Sequence, residues 1–173
     1  ACAGLGEREW NLVIVGPVDT GYARKFRSEA EEALGSRVRF LGEVTGEKKR
    51  ELLAESRVSV LPSRSENFGM VVAEALGTGI PVITTEGTPW KEMVSRDCGW
   101  WIPFGKEPLR EALGEALDSS SSRIEEMGVR GLDWVEQEFS WTSIAKKMVK
   151  SYQWVVDPNG PRPDWILVDR HMK

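Results

Sequence analysis

Five short apolar runs, each followed closely by glycine or proline, constrain the fold of this chain more than any other feature. They are four to six residues long, rich in Val, Ile, Leu and Trp, and occupy residues 10–15, 38–41, 58–61, 81–84 and 98–102. Runs of this length and composition predict strands buried on both faces, as in a parallel sheet. The segments between them are long enough for helical crossovers, so the order predicts right-handed βαβ units and an α/β fold.

Helical patterns occupy most of the chain between and after these runs. They are predicted at residues 19–34, 46–56, 68–76, 108–117, 123–138 and 140–156, with a short helix within residues 87–94. Asp19 and Thr20 are candidate N-caps of the first helix, and Ser140 and Thr142 of the last. From residue 157 onward, glycines and prolines interrupt any regular pattern. We therefore predict one domain over residues 1–156 and a tail over residues 157–173, which either docks through residues 165–168 or is disordered.

The composition excludes several functional classes. Of the 173 residues, 40% are apolar and 29% are charged, as is typical of a globular protein. The net charge is −4 with both signs scattered, so we expect no nucleic-acid partner. Cys2 and Cys98 lie far apart, and no apolar run approaches the ~20 residues of a membrane span, so we expect a cytoplasmic location. Residues 1–6 resemble the end of an apolar helix, and we expect a chain whose beginning was removed.

Histidine and aspartate patterns argue against metal chemistry. His171 is the sole histidine and is the third residue from the end, which excludes most histidine-based triads and multi-histidine zinc sites. The chain also has no Asp-x-Asp pair that would suggest a metal clamp on a diphosphate. We therefore expect no metal and no cofactor, and a chemistry carried by carboxylates, backbone amides and helix dipoles.

Residues 63–83, here called the central turn, combine a polar loop, a short helix and a strand. Ligands of parallel sheets bind beyond the carboxyl ends of the strands, where this loop lies. The predicted helix opens at Phe68, Gly69 and Met70, where unpaired amides and the helix dipole favour an anion and a glycine allows close approach. Glu66 and Glu74, eight positions apart, can accept hydrogen bonds from hydroxyl groups. An anion cradle beside two carboxylates suits a sugar nucleotide.

A purely structural interpretation fits the same spacing. In it, Asn67 is the N-cap of the helix and Glu74 is a solvated residue, although a carboxylate on a helix of small apolar residues is costly without a partner. Anion sites at helix termini are common and weakly specific. The spacing alone therefore favours neither the sugar-nucleotide site nor the purely structural interpretation.

The central turn resembles the signature of the retaining glycosyltransferases of family 4, which have a GT-B fold. The resemblance rests on Glu66 and Glu74 with seven residues between them, on Asn67-Phe68-Gly69, and on residues 75–83. Further matching stretches follow in order up to about residue 156, at residues 13–16, 38–42, 61–63, 87–92, 99–101 and 139–141. Each piece alone is weakly specific, but the ordered set is highly specific. The resemblance implies that residues 1–156 are a nucleotide-sugar-binding, Rossmann-like domain, the C-terminal half of a GT-B enzyme whose N-terminal acceptor domain is absent.

The resemblance also implies roles for individual residues. Glu66, the one catalytic candidate, would contact hydroxyls of the donor sugar as a positioning group rather than as a nucleophile. The amides of Phe68, Gly69 and Met70 would meet the sugar and the phosphates, with Asn67 in the same donor-binding loop. Glu74 would bind the ribose hydroxyls.

Weaker candidates lie in the neighbouring loops. Val44, together with Glu43, would face the nucleotide base, although a simple loop residue is the alternative. Gly16 lies at the end of the first strand, where a tight turn is at least as good an explanation as ligand contact. For Trp90, packing on the core is favoured over lining the donor cleft. Packing is likewise favoured for Trp100 and Trp101.

The implied reaction moves a hexosyl unit from a UDP- or GDP-sugar to a hydroxyl group, with retention of anomeric configuration and without a metal. The acceptor would be a saccharide or a lipid-linked molecule held by the absent domain, in polysaccharide or glycoconjugate biosynthesis, at the cytoplasmic side of the inner membrane or free in the cytoplasm. Family members carry an Arg and a Lys that neutralise the donor diphosphate, upstream of where this chain begins. We therefore expect the fragment to fold but not to transfer sugar alone.

Two alternative functions stay open at this point. A sugar-nucleotide epimerase of the same two-domain architecture would need catalytic acids and a histidine that the chain does not show in a suitable context. A non-catalytic nucleotide-binding or interaction domain would need no paired glutamates at this loop. Binding measurements with UDP and GDP distinguish these interpretations.

Overall fold

A computed structural model describes residues 1–166 of the chain. It contains two compact units, Ala1–Leu132 and Asp133–Lys173, which are described separately below. The division into a domain over residues 1–156 and a tail therefore stays a prediction. Among the described residues, no helix is both long and apolar enough to cross a membrane.

Five parallel strands form the sheets of the first unit, and all five apolar runs are confirmed as strands. β1 (Leu12–Ile14) pairs with β2 (Val38–Phe40). β4 (Val82–Thr85) lies between β3 (Ser59–Leu61) and β5 (Gly99–Ile102). Within residues 1–166 these strands are hydrogen-bonded as a two-stranded and a three-stranded sheet. The register brings Val60 beside Ile83 and Ile83 beside Trp100, so β4 is the centre of the larger sheet.

Helices follow the strands in the predicted order. They are α1 (Gly21–Leu34), α2 (Gly46–Ala54), α3 (Met70–Leu76), α4 (Glu92–Ser95), α5 (Lys106–Asp118), α6 (Ser121–Phe139) and α7 (Trp141–Val156). Thr20 is the N-cap of α1, because its Oγ1 accepts a hydrogen bond of 3.0 Å from the Ala23 amide. Ser140 caps α7 in the same way through the Ser143 amide. In each pair of candidates the structure therefore selects one hydroxyl residue.

The core of the first unit is built around β4. All four residues of that strand are buried, as a run that is covered on both faces predicts. α3 contacts β3 and β4 and contributes Val72, Ala75 and Leu76 to the interior. α5 contacts β4 and β5 and contributes Ala112 and Ala116. The central turn therefore joins two buried strands to a helix with a buried face.

In the second unit, the segment after α7 folds back onto that helix. Trp165 Nε1 donates a hydrogen bond of 3.0 Å to Ser151 Oγ, and the Lys150 ammonium lies 6.0 Å from the centre of the Trp165 ring. Residue 165 of the predicted apolar patch therefore contacts α7. Residues 167 and 168 of the same predicted patch lie outside the described residues.

Candidate functional site

The loops at the carboxyl ends of the strands are tied to one another in pairs. The Gly16 amide donates a hydrogen bond of 2.9 Å to the Gly42 carbonyl, which joins the loops after β1 and β2. The Glu66 amide donates a bond of the same length to the Gly87 carbonyl, which joins the loops after β3 and β4. Since parallel strands end at one edge of a sheet, each pair gathers predicted site residues at that edge.

A set of buried threonine hydroxyls holds the start of the central turn. Thr84 Oγ1 donates a hydrogen bond of 2.9 Å to the Leu61 carbonyl, and Thr85 Oγ1 donates to the Ser63 carbonyl. Thr88 Oγ1 donates to the Thr85 carbonyl at 2.9 Å. All three threonines are buried, so these bonds are shielded from competing water. These threonines were not identified from the sequence. The available signal was the presence of polar residues at the end of an apolar strand.

Gly87 allows the two loops to lie against each other. A Cβ atom at this position would lie 2.2 Å from the Arg64 carbonyl oxygen and 2.5 Å from the carbonyl carbon. No side chain fits in that space without moving backbone atoms. The close approach places the Gly87 carbonyl where it accepts from the Glu66 amide. The backbone of Glu66 is therefore positioned by β4 and its loop as well as by β3.

Gly69 and Trp90 set the start of α3. Gly69 is buried in the left-handed region at φ 75° and ψ 60°, and it is the N-cap of the helix. The Trp90 indole, 1% exposed, donates from Nε1 to the Phe68 carbonyl, and the two rings lie 5.1 Å apart. The preference for Trp90 as a packing residue is thereby confirmed.

This geometry corrects two expectations about the helix. α3 begins at Met70, two residues later than predicted, because the left-handed Gly69 interrupts the helical backbone. Asn67 is exposed and is not the N-cap, so that part of the structural interpretation is wrong. The Val72 amide donates to the Gly69 carbonyl at 2.8 Å, which leaves Met70 and Val71 as the first amides without an intrahelical acceptor. The amides of Phe68 and Gly69 lie in the turn that precedes the helix.

Glu66 and Glu74 differ in their surroundings. The Glu66 side chain is half-buried, and within residues 1–166 no side chain donates a hydrogen bond or forms an ion pair with its carboxylate. Its oxygens are thus available as acceptors. Glu74 Oε2 is shielded from solvent and forms an ion pair with Lys49 Nζ of α2. The partner that the sequence argument required for Glu74 is therefore present, although Lys49 itself was not identified from the sequence.

The weaker candidates occupy the loops after β1 and β2. Gly16 is linked to Gly42 as described, and Val44 is half-buried just before α2. Trp100 packs against the core cluster, and Trp101 donates from Nε1 to the Thr88 carbonyl at 3.0 Å. The preference for packing roles at both tryptophans agrees with these contacts.

Other charges lie close to the same edge. The Arg64 guanidinium lies 4.4 Å from the centre of the Phe104 ring, which joins the central turn to the loop after β5. Within residues 1–166 there is no group of three or more His, Cys, Asp or Glu side chains that could hold a metal ion. The described edge thus offers carboxylates, backbone amides and the Arg64 cation.

The sequence family described as "Glycosyl transferases group 1" matches residues 1–130. The chain belongs to this family. Among its relatives, the D-inositol 3-phosphate glycosyltransferase of Corynebacterium urealyticum is 31% identical over 150 residues, which cover 82% of this chain and 34% of that protein. The chain spans between 23% and 38% of the length of the first relatives that it matches.

Solved glycosyltransferase-related structures share the fold of this chain. The sucrose-phosphate synthase from Thermosynechococcus elongatus superposes with a TM-score of 0.78 at 26% identity, over 91% of this chain and 41% of that chain. Anabaena HepE in complex with UDP-glucose superposes with a TM-score of 0.70 at 19% identity, over 83% of this chain and 40% of that chain. The predicted α/β fold, similar to GT-B glycosyltransferases, is confirmed.

Proposed function

We propose that this chain is the C-terminal, donor-binding domain of a retaining glycosyltransferase of family 4. The intact enzyme transfers a glycosyl unit from a nucleotide-diphosphate sugar to a hydroxyl acceptor. The observation that carries the proposal is the arrangement of the central turn, in which Glu66 and Glu74 flank the buried Gly69 at the end of β3. Membership of the glycosyltransferase group 1 family supports the same reaction class.

Each part of the turn has a proposed role. Glu66, with both carboxylate oxygens available, accepts hydrogen bonds from the donor sugar hydroxyls. The amides of Phe68, Gly69 and Met70, beside Asn67, hold the sugar and the diphosphate as hydrogen-bond donors. Glu74 binds the ribose. Hydrogen bonds from amides to an anionic oxygen are about twice as strong as those between neutral groups.

The neighbouring loops complete the proposed donor site. Val44 and Gly16 lie in loops joined by the bond between Gly16 and Gly42, and we assign Val44 to the nucleotide base. A fold relative, HepE, was crystallised with UDP-glucose, which favours a UDP-sugar over a GDP-sugar as the first donor to test. A saccharide or lipid-linked acceptor, a role in polysaccharide or glycoconjugate biosynthesis, and a location in the cytoplasm or at the inner membrane belong to this proposal.

The proposed mechanism uses positioning and electrostatic stabilisation. Departure of the nucleoside diphosphate develops negative charge on the leaving oxygen, and donors that already point at that position stabilise it without reorganisation. Glu66 orients the sugar ring through its hydroxyl groups, so that the anomeric carbon faces the acceptor oxygen. The acceptor hydroxyl loses its proton as the new glycosidic bond forms and the bond to the diphosphate breaks.

The test uses sugar transfer by the full-length protein with UDP- and GDP-sugars. Glu66→Ala and Glu74→Ala are each expected to reduce kcat/KM by about 10²-fold or more. Each substitution removes a charged protein group that forms hydrogen bonds with the donor substrate. Glu86→Ala is a matched control, because Glu86 is an exposed carboxylate directly after β4. Near-normal transfer by both glutamate variants, with an unchanged donor KM, refutes the site. Transfer abolished by EDTA refutes the metal-free part of the proposal.

A further inference from the structure

Lys49 occupies an unusual position among the charged residues of α2. It lies in the first turn of that helix, five residues after Val44, so one loop-and-helix segment carries both residues. Its side chain is 30% exposed, whereas the neighbouring Lys48 and Arg50 are exposed to solvent. The Lys49 ammonium is directed at the Glu74 carboxylate of α3. This ion pair connects the segment proposed to contact the base with the residue proposed to contact the ribose.

The two carboxylate oxygens of Glu74 are in different environments. Oε2 is shielded from solvent, and within residues 1–166 its ion pair with Lys49 is the one polar contact that the structure gives it. A desolvated anionic oxygen is costly unless a positive charge compensates it. Oε1 accepts no hydrogen bond from the described side chains, and the Glu74 side chain as a whole is 39% exposed. Lys49 therefore holds one oxygen and leaves the other as an acceptor.

Resting on the donor site proposed above, we propose that Lys49 is a ribose-recognition residue that positions Glu74 and reads the sugar of the nucleotide together with it. Glu74 Oε1 accepts a hydrogen bond from one ribose hydroxyl. The ammonium has three N–H donors, one of which serves Oε2, so another donates to the oxygen of the second hydroxyl. A paired donor and acceptor of this kind matches two neighbouring hydroxyl groups. The pair thus selects ribonucleotides against deoxyribonucleotides.

The discrimination has a physical basis. A nucleotide that lacks a hydroxyl leaves either Oε1 or an ammonium N–H without its partner, in a place already partly removed from water. Sites built to hydrogen-bond a hydroxyl reject analogues that lack it far more strongly than apolar pockets reject a change in size. A bond between a hydroxyl and a charged group corresponds to roughly tenfold or more in affinity. Without Lys49, the Glu74 carboxylate loses the cation that fixes its orientation.

The experiment measures nucleotide affinity of the full-length protein by titration calorimetry. The probes are UDP, 2′-deoxy-UDP and 3′-deoxy-UDP, or the guanosine series if GDP binds and UDP does not. For the wild type, each deoxy analogue is expected to bind about tenfold or more weakly than the ribonucleotide. In Lys49→Leu, at least one of these two ratios is expected to fall below about threefold, and affinity for the ribonucleotide falls about tenfold. Lys49→Arg is expected to keep both ratios.

Two controls separate recognition from a structural effect. Lys48→Leu removes a neighbouring exposed lysine and is expected to leave all three affinities unchanged. Melting temperatures of all variants are compared, and Lys49→Gln replaces the leucine variant if the latter does not fold. Ratios in the folded Lys49 variants equal to those of the wild type, or tighter binding of the ribonucleotide, overturn the inference alone. A wild type that binds neither UDP nor GDP overturns the proposed donor site and this inference with it.

Discussion

Replacing Gly87 with alanine tests whether the loop after β4 positions the central turn. The new Cβ atom would lie 2.2 Å from the Arg64 carbonyl oxygen, against the ~3.5 Å that non-bonded atoms prefer. The two loops must therefore separate by about 1 Å, because the obstructing atoms belong to the backbone and not to a flexible side chain. That movement breaks the hydrogen bond between the Glu66 amide and the Gly87 carbonyl.

The expected loss follows from these two effects. Overpacking at a rigid contact costs about 1–3 kcal/mol, and a lost backbone hydrogen bond costs about 1 kcal/mol more. The free energy of unfolding should therefore fall by about 2–4 kcal/mol, which lowers Tm by roughly 4–16 °C for a chain of this size. Because the displaced backbone carries Glu66, we also expect sugar transfer to fall by up to about 10²-fold.

Urea denaturation and the transfer assay of the full-length protein measure the two quantities. Gly114→Ala is the matched control, since Gly114 lies within α5 and an added Cβ would have no neighbour within 4 Å. That control should gain up to about 1 kcal/mol of stability from helix propensity and should leave transfer unchanged. If Gly87→Ala unfolds at the same urea concentration as the wild type and transfers sugar normally, the loop contact does not position Glu66.

Two further predictions concern side-chain ionisation. Burial raises the pKa of the Cys98 thiol to about 11, so little of it is thiolate at pH 8. In a Cys2→Ser background, iodoacetamide should therefore label native Cys98 about 10²-fold more slowly at pH 8 than a free thiol. Labelling at the free-thiol rate would contradict this. The hydrogen bond from Arg123 holds the pKa of Asp97 below its ordinary value of 3.8, so this pair contributes stability above that pH and loses it as the pH falls through the folded-state pKa. Below about pH 4, the free energy of unfolding measured with urea should therefore decrease less steeply with falling pH for Asp97→Asn than for the wild type or for the control Asp133→Asn. The same dependence on pH for all three proteins would contradict this.

Short-range patterns in the sequence were sufficient to predict which segments form strands and helices. The five strands were predictable because buried parallel strands are rich in β-branched and apolar residues over a short run, and β4 opens with Val82 and Ile83 before its two buried threonines. The division of these strands into a pair and a group of three was not predictable, because pairing joins residues far apart in sequence. The start of α3 was missed by two residues because Gly69 has a left-handed φ, and glycine is compatible with either sign of φ, so its identity alone does not reveal which one it adopts.

The same contrast applies to the candidate site. The spacing of Glu66 and Glu74 is a property of the sequence, and so is their position after an apolar strand. Lys49 was missed because it stands between two other basic residues of α2, Lys48 and Arg50, and nothing in the sequence distinguishes it from them. The threonine hydroxyls that hold the turn were also missed. Only the pairing of β3 with β4 brings them to the Leu61 and Ser63 carbonyls.

The sequence by itself therefore determined the order of strands and helices, the position of the central turn and its two carboxylates. These depend on periodicity, turn residues and spacing, which act over a few residues. The tertiary structure decided which cation faces Glu74, which groups hold Glu66 in place, and where α3 begins. Those features depend on distances between segments that are far apart in the chain, and packing rather than local preference fixes such distances.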